Sequence, residues 1–149
     1  MNESKARDRP DIRVLTEIGI IDQLAMSQLE RTLPANLSAA GFGLLTHFAL
    51  RGGEQSPARL AAAFQVTKGA MTNTVQRLEA AGLIAVRADA VDGRKKQVSI
   101  TPMGLQAHEQ ALDGLRPYTN ALRAAIPAAE FEAALPFLAR LRGWLDDNR

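Results

Sequence analysis

Cysteine is absent from the 149-residue sequence. This absence excludes disulfide bonds, thiolate nucleophiles, thiol redox sensing and zinc sites built on cysteine. Aromatic residues make up only 5%, but hydrophobic residues reach 46%, which is enough to form a core without a crosslink or a metal. We therefore expect one domain over residues 1–149 that folds in a reducing compartment, the cytoplasm.

Long apolar segments are also missing. The longest uncharged run covers residues 32–50, and Pro34, Asn36 and His47 interrupt it, which a membrane span tolerates poorly. Residues 1–10 mix acidic and basic side chains and lack the apolar core that a signal peptide needs. The sequence therefore predicts no membrane segment and no export by a signal peptide.

Groups suited to catalysis or to metal binding are scarce. The chain has two histidines, and neither His47 nor His108 has a partner nearby in sequence that would complete a catalytic triad or a metal site. The Gly41-x-Gly43 pair lacks the third glycine of a dinucleotide-binding loop. We expect no enzymatic activity, no metal and no cofactor, and we expect His108 to form a hydrogen bond between helices.

The first predicted helix, at about 11–33, has more apolar surface than one neighbour covers. Val14, Ile18 and Ile21 recur at spacings of three and four residues, which is the helical period. Further apolar side chains such as Leu24 widen the apolar arc well past the ~100° that packing on one side requires. We expect this helix to have two surfaces to bury.

The segment at about 102–147 predicts further helices with a heptad repeat. Pro117 and Pro136 fall inside them and predict bends, because proline cannot donate the backbone hydrogen bond. We expect these helices and the helix at 11–33 to form a dimerisation bundle, although the alternative is that they fold back on their own domain. The residues spaced seven apart are Leu105, Leu112, Thr119 and Ile126, and between them His108, Leu115 and Leu122.

Residues 38–101 carry the signals of three short helices followed by a hairpin. Residues 83–88 and 97–101 predict two strands joined by a polar loop that contains Asp92-Gly93. Helix, turn, helix and hairpin in this order predict a winged helix-turn-helix lobe, so the fold class is mainly α with a small β-hairpin wing. The residues predicted to begin or end the three helices are Ser38, Gly52, Ser56, Thr67 and Gly82.

Positive charge concentrates in the same lobe. Residues 54–101 carry seven Lys or Arg and four acidic side chains, a net charge of +3, whereas the rest of the chain is net −1. On a helix that starts after Thr67, Met71, Val75 and Leu78 share one side and leave the other side polar and uncluttered. This pattern predicts docking of a polyanion. The residues of the helix pair expected to contact double-stranded DNA are Ser56, Thr67, Lys68, Gly69, Thr72, Asn73, Gln76 and Arg77.

The loop of the hairpin supplies a second candidate contact. Arg94 at the tip is suited to a narrow minor groove, and Lys95 and Lys96 are suited to the flanking phosphates. The alternative is that these side chains are an ordinary solvated turn. Two other functions stay open, a winged-helix adaptor for protein contacts and a DNA-binding protein without sequence preference.

Several stretches are similar to the multiple antibiotic resistance regulators, the MarR family, and the resemblance covers nearly the whole chain. Residues 56–61, Ser-Pro-Ala-Arg-Leu-Ala, look like the first helix of that family's DNA-binding pair. Residues 68–84 look like its recognition helix and the strand that follows. The most specific similarity is Asp92-Gly93-Arg94 followed by a strand that ends in Thr101-x-x-Gly104, which resembles the wing signature of the family.

The resemblance implies a homodimeric repressor of transcription that binds a pseudo-palindromic operator, with half-sites ~10–10.5 base pairs apart. It implies that Asp92 orients Arg94 by a charge-assisted hydrogen bond. It also implies a small aromatic or phenolic effector that releases the DNA, bound beside the dimer helices. The residues expected to border that site are Arg13, Phe42, His47 and Arg51, for which packing and surface roles are the alternative.

Overall fold

The computed structural model describes residues 7–149, and the first six residues of the predicted domain lie outside this description. The described chain is mainly helical with one two-stranded hairpin, which confirms the predicted fold class. No helix in this part of the chain is long and apolar enough to cross a membrane. The elements are α1 (Pro10–Thr32), α2 (Ala39–Arg51), α3 (Pro57–Ala63), α4 (Lys68–Ala80), β1 (Ile84–Ala88), β2 (Lys96–Ile100), α5 (Pro102–Ala125) and α6 (Ala128–Asp147).

The chain divides into two compact units, Met1–Gly114 and Leu115–Arg149, and the boundary falls inside α5. The first unit contains α1 to α4, the hairpin and the first half of α5. The second contains the rest of α5 and α6. Both α5 and α6 continue across their internal prolines, Pro117 and Pro136. The single domain with a lobe at about 38–101 stays a prediction.

Three side chains cap helices where the sequence predicted them. The hydroxyl of Ser38 accepts a hydrogen bond from the Gly41 amide over 3.0 Å at the start of α2. At the start of α4 the hydroxyl of Thr67 accepts from the Ala70 amide over 3.1 Å, and Ser56 caps α3 in the same way. Each cap satisfies an amide that the first helical turn leaves without a partner. These local bonds fix where the helices begin.

The core of the first unit lies between α2, α3, α4 and the hairpin. Phe48 of α2, Leu60 of α3 and Val98 of β2 are among its largest fully buried side chains. The predicted apolar side of α4 packs into the same core through Met71, Val75 and Leu78. Because this side of α4 is buried, its polar side faces out of the lobe.

The hairpin is antiparallel, with Val86 opposite Val98. Gln55, which precedes α3, exchanges both backbone hydrogen bonds with Val98, over 3.0 and 2.8 Å, and so ties the hairpin to the helix pair. β1 begins one residue later than predicted and β2 is shifted by one residue toward the loop. Leu83 still bonds back to α4, and the Thr101 hydroxyl already accepts from an amide in the first turn of α5.

The junction between β2 and α5 explains the Thr-x-x-Gly pattern. The hydroxyl of Thr101 donates to the Gly82 carbonyl oxygen over 2.7 Å and accepts from the Gly104 amide over 3.0 Å. A Cβ atom placed on Gly104 would lie 2.0 Å from the Leu83 carbonyl oxygen. Only glycine therefore lets α5 pass this close to the start of the hairpin.

The side chains of the heptad repeat divide between two environments in the first half of α5, and the use of this repeat as a seam toward a partner stays a prediction. His108 is buried within its own unit, where Nε2 lies 3.1 Å from the Thr46 hydroxyl and the ring stacks on Phe42. Leu105 and Leu112 are exposed by 43% and 46%. The expected hydrogen bond of His108 between helices is confirmed, and it joins α5 to α2.

Candidate nucleic-acid interface

The outward side of α4 is polar and free of bulky groups. At about 100° per residue, Gly69, Asn73 and Gln76 lie opposite the buried apolar side and are exposed. A Cβ on Gly69 would meet nothing within 4 Å, so packing does not require glycine there. Amide side chains on such a face are able to form paired hydrogen bonds with base edges in a major groove.

An open groove of about 470 Å³ runs between the starts of α3 and α4 and the hairpin loop. It brings together six of the predicted DNA contacts from three separate stretches of sequence. Four of its residues are basic and none is acidic, so the groove suits a polyanion. Sequence reasoning missed Pro57 and Ala58 as lining residues. The groove is lined by Ser56, Pro57, Ala58, Lys68, Thr72, Arg94, Lys95 and Lys96.

The predicted contacts of α4 therefore fall into three groups. Lys68 and Thr72 lie on the edge of the helix that lines the groove. The face of Gly69, Asn73 and Gln76 lies beside it, and Arg77 is exposed on the far edge. Thr67 and Ser56 use hydroxyl oxygens for capping, which leaves each hydroxyl hydrogen free in principle for another acceptor.

The hydrogen bond between Asp92 and Arg94 differs from the one that the resemblance implied. The Asp92 carboxylate accepts from the backbone amide of Arg94 over 3.1 Å. Within residues 7–149, the structure gives the guanidinium of Arg94 no hydrogen bond or ion pair. Asp92 therefore fixes the main chain beneath Arg94, and the guanidinium is available to a ligand.

Asp89 also shapes this loop, and sequence reasoning missed it. Its Oδ1 accepts from the amides of Val91 and Asp92, over 2.8 and 3.2 Å, and its Oδ2 accepts from the Gln97 side chain over 2.9 Å. These bonds, led by that from Gln97, lower the pKa of Asp89 to about 2. The signal in the sequence is an aspartate that opens a turn, since such a side chain bonds to amides two residues on.

An ion pair lies near the loop end of the hairpin. The guanidinium of Arg87 donates to both carboxylate oxygens of Glu54, with Nε 2.7 Å from Oε1. The bond lowers the pKa of Glu54 and raises the pKa of Arg87. Because both side chains are substantially exposed, we assign this pair an orienting role and little stability.

Two of the four residues predicted for an effector site, Phe42 and His47, contact different neighbours. Phe42 contacts His108, whereas His47 bonds to the Gln55 side chain over 3.0 Å and packs against Phe64. The two side chains leave α2 about 140° apart, since five residues separate them. Arg13 and Arg51 are exposed. Among the described residues, no cluster of three or more histidine or acidic side chains is placed to hold a metal ion.

Comparison with known proteins agrees with this arrangement. A family model described as the MarR family matches residues 35–95, which include the helix pair and the hairpin loop. Over residues 35–95 the chain is therefore similar to the MarR family. It has the mainly helical winged-helix fold of the family's transcription regulators. No curated protein matches closely enough to count as a relative.

Solved structures show the same fold over nearly the whole chain. The regulator BldR from Sulfolobus solfataricus is 27% identical with a TM-score of 0.74, and the match covers 93% of this chain and 99% of BldR. A MarR variant from E. coli in complex with operator DNA is 22% identical, with a TM-score of 0.71 and coverage of 93% and 98%. BpsR from Bordetella bronchiseptica is 24% identical, with a TM-score of 0.71 and coverage of 87% and 98%.

Proposed function

We propose that this chain is a MarR-family transcriptional repressor that binds an operator in double-stranded DNA as a homodimer. The observation that carries the proposal is the basic groove, in which Lys68 and Thr72 of α4 lie beside Arg94, Lys95 and Lys96 of the hairpin loop. Helix and loop present their contacts together, so one duplex is able to engage both. The match to an operator-bound MarR supports this use of the fold.

In this proposal α4 enters the major groove. Asn73 and Gln76 contact base edges, while Lys68 and Arg77 on the two edges of the helix contact phosphates. Gly69 leaves room for the backbone of the helix to approach the DNA. Arg94 enters the minor groove next to it, where the potential is most negative in narrow A·T-rich stretches.

Exposed apolar surface supports the homodimer. Ile21 and Leu24 of α1 are exposed by 59% and 65%, and they belong to a longer row of exposed apolar side chains on that helix. In the second unit, α6 exposes Leu135 by 61% and Trp144 by 63%. Extended apolar surfaces of this kind mark protein interfaces. We assign them to a second copy of the chain, which gives the operator two-fold symmetry.

An aromatic effector that releases the DNA is the second part of the proposal. Its support is the precedent of BpsR, whose DNA binding is regulated by 6-hydroxynicotinic acid. Such a ligand acts by favouring a state of the protein that binds DNA less well. Arg13, Phe42, His47 and Arg51 stay candidates for its site, with Phe42 and His47 on different sides of α2.

Selection from a pool of random duplexes tests the repressor proposal. We expect the bound fraction to converge on an inverted repeat with half-sites ~10–10.5 base pairs apart, because the lobes of a two-fold dimer meet successive turns of one face of the DNA. Arg94→Ala is expected to weaken binding to the selected sequence by about 10- to 100-fold, as loss of a specific groove contact does. Affinity is measured by fluorescence anisotropy.

Arg31→Ala is the matched control, because it removes an exposed guanidinium of α1 outside the groove. We expect it to leave the affinity close to that of the wild-type protein. Failure to enrich any sequence, with affinity that depends only on salt, indicates DNA binding without sequence preference. An absence of DNA binding in the wild-type protein contradicts the proposal and favours the adaptor for protein contacts.

The outer face of α4 predicts a change of sequence preference. Asn73→Ala or Gln76→Ala is expected to relax the preference at one base pair of each half-site, because a bidentate base contact contributes ~1–3 kcal/mol of discrimination. Arg77→Ala is the contrast, since loss of a phosphate contact weakens all sequences alike. The check is selection repeated with each variant. An unchanged preference for both amide variants contradicts the assignment of this face to base contacts.

A further inference from the structure

The carboxylate of Asp89 holds both ends of the hairpin loop. Oδ1 accepts from the backbone amides of Val91 and Asp92, and Oδ2 accepts from the side chain of Gln97, which lies on the opposite strand. These three bonds use most of the acceptor capacity of one ionised carboxylate. A single side chain therefore closes the loop across the hairpin.

Backbone hydrogen bonds extend this closure to the basic residues. The Asp89 amide donates to the Lys95 carbonyl oxygen over 2.9 Å, and the Lys95 amide donates to the Asp92 carbonyl oxygen over 3.0 Å. The amide of Arg94 bonds to the Asp92 carboxylate. Because Asp92 is itself held by Asp89, the main chain beneath Arg94 and Lys95 is fixed through a continuous set of bonds.

We propose that Asp89 is a positioning residue for DNA binding, which holds the hairpin loop so that Arg94 and Lys95 stay in place beside α4. This inference rests on the proposed function. Its physical basis is preorganisation, since a loop already fixed in the binding conformation loses less conformational entropy when it binds. The low pKa of Asp89 means that the carboxylate is ionised throughout the physiological range.

The charge of Asp89 and its positioning hydrogen bonds have opposite expected effects on the affinity for DNA. A negative charge near DNA repels the phosphates, so removal of the charge alone strengthens binding. Loss of a positioning bond weakens it. Asp89→Ala removes both the charge and the acceptor, whereas Asp89→Asn removes the charge but retains an acceptor for the amides of Val91 and Asp92. The two substitutions therefore separate the two effects.

The experiment measures affinity for a 30-base-pair duplex that carries the sequence selected by the wild-type protein. We expect Asp89→Ala to weaken binding by about three- to tenfold, and we expect Asp89→Asn to bind at least as tightly as the wild-type protein. Glu79→Gln is the charge control, because Glu79 is an exposed acid of α4, and it is expected to strengthen binding slightly. In the free proteins, NMR amide exchange at Val91 and Asp92 is expected to be faster in Asp89→Ala and unchanged in Asp89→Asn.

Two results overturn the positioning role. One is that Asp89→Ala binds as tightly as the wild-type protein or more tightly, since only the charge then matters. The other is unchanged amide exchange at Val91 and Asp92 in Asp89→Ala. A wild-type protein that binds no duplex contradicts the proposed function instead, and the exchange measurement on free protein still distinguishes whether Asp89 orders the loop.

Discussion

Gly104→Ala is expected to destabilise the protein by about 3 kcal/mol, the upper end of the typical cost of overpacking, because the new methyl group would meet fixed neighbours. The added Cβ would lie 2.0 Å from the Leu83 carbonyl oxygen and 2.8 Å from Cγ1 of Ile100. Neither atom belongs to a flexible side-chain end, so α5 or the hairpin must move. For a chain of this length the loss corresponds to a fall in Tm of about 6–12 °C.

Gly114→Ala on the same helix is the matched control, with the opposite expected sign. A Cβ at Gly114 meets Cγ2 of Thr32 at 3.7 Å, which is ordinary contact, and alanine gains up to about 1 kcal/mol over glycine in a helix. Urea unfolding at one fixed protein concentration compares the variants, because the stability of the proposed dimer depends on concentration. Equal stabilities for the two variants would show that the tight contact at Gly104 is absent.

The Lys95→Gln/Lys96→Gln variant is expected to lose most of its affinity for DNA. If each lysine neutralises one phosphate, a dimer with two engaged lobes loses four such contacts. The slope of log K against log salt then falls in magnitude by about 3.6, and affinity at 0.15 M salt falls about a thousandfold. Folding is expected to be unaffected, because both side chains are exposed and glutamine keeps the backbone bonds of the loop.

A variant with Arg31→Gln and Arg51→Gln controls for total charge. It removes the same charge from exposed positions outside the groove, so the salt slope is expected to stay near that of the wild-type protein. Titrations at four or more salt concentrations measure both slopes. Equal losses of affinity in the two double variants would indicate that binding depends on the net charge of the protein and that DNA does not occupy the groove.

The helix starts and the interior side of α4 were predictable because they depend on local rules. Ser38 and Thr67 bond to amides three residues ahead, and the buried residues of α4 follow the helical period. The basic groove was predictable in part, since a winged-helix order places the loop of the hairpin beside the second helix of the pair. Its existence therefore follows from the order of elements together with the charge.

The bonds that orient the wing were not predictable, because they join residues that only the folded chain brings together. Arg87 meets Glu54 across 33 positions of sequence, and Asp89 meets Gln97 only if the hairpin has this register. The resemblance implied a charge-assisted bond between Asp92 and Arg94, but a motif does not specify atoms. The bond in the structure goes to the backbone amide.

The heptad repeat of α5 shows a different limit. Apolar spacing reports that a side of a helix is buried, but it does not report what buries it. His108 satisfies the pattern through contacts with Phe42 and Thr46 of its own unit, while Leu112 on the same repeat stays exposed. Assignment of such a repeat to a partner needs the folded surface.

The connection between the hairpin and α5 is short and held by hydrogen bonds. β2 ends at Ile100 and α5 starts at Pro102, so one residue, Thr101, is the entire connection, and its hydroxyl is bonded on both sides. The ring of Pro102 fixes its own φ angle, which removes a further torsional freedom. This connection is therefore rigid, and a displacement of the first turn of α5 would move the hairpin with it.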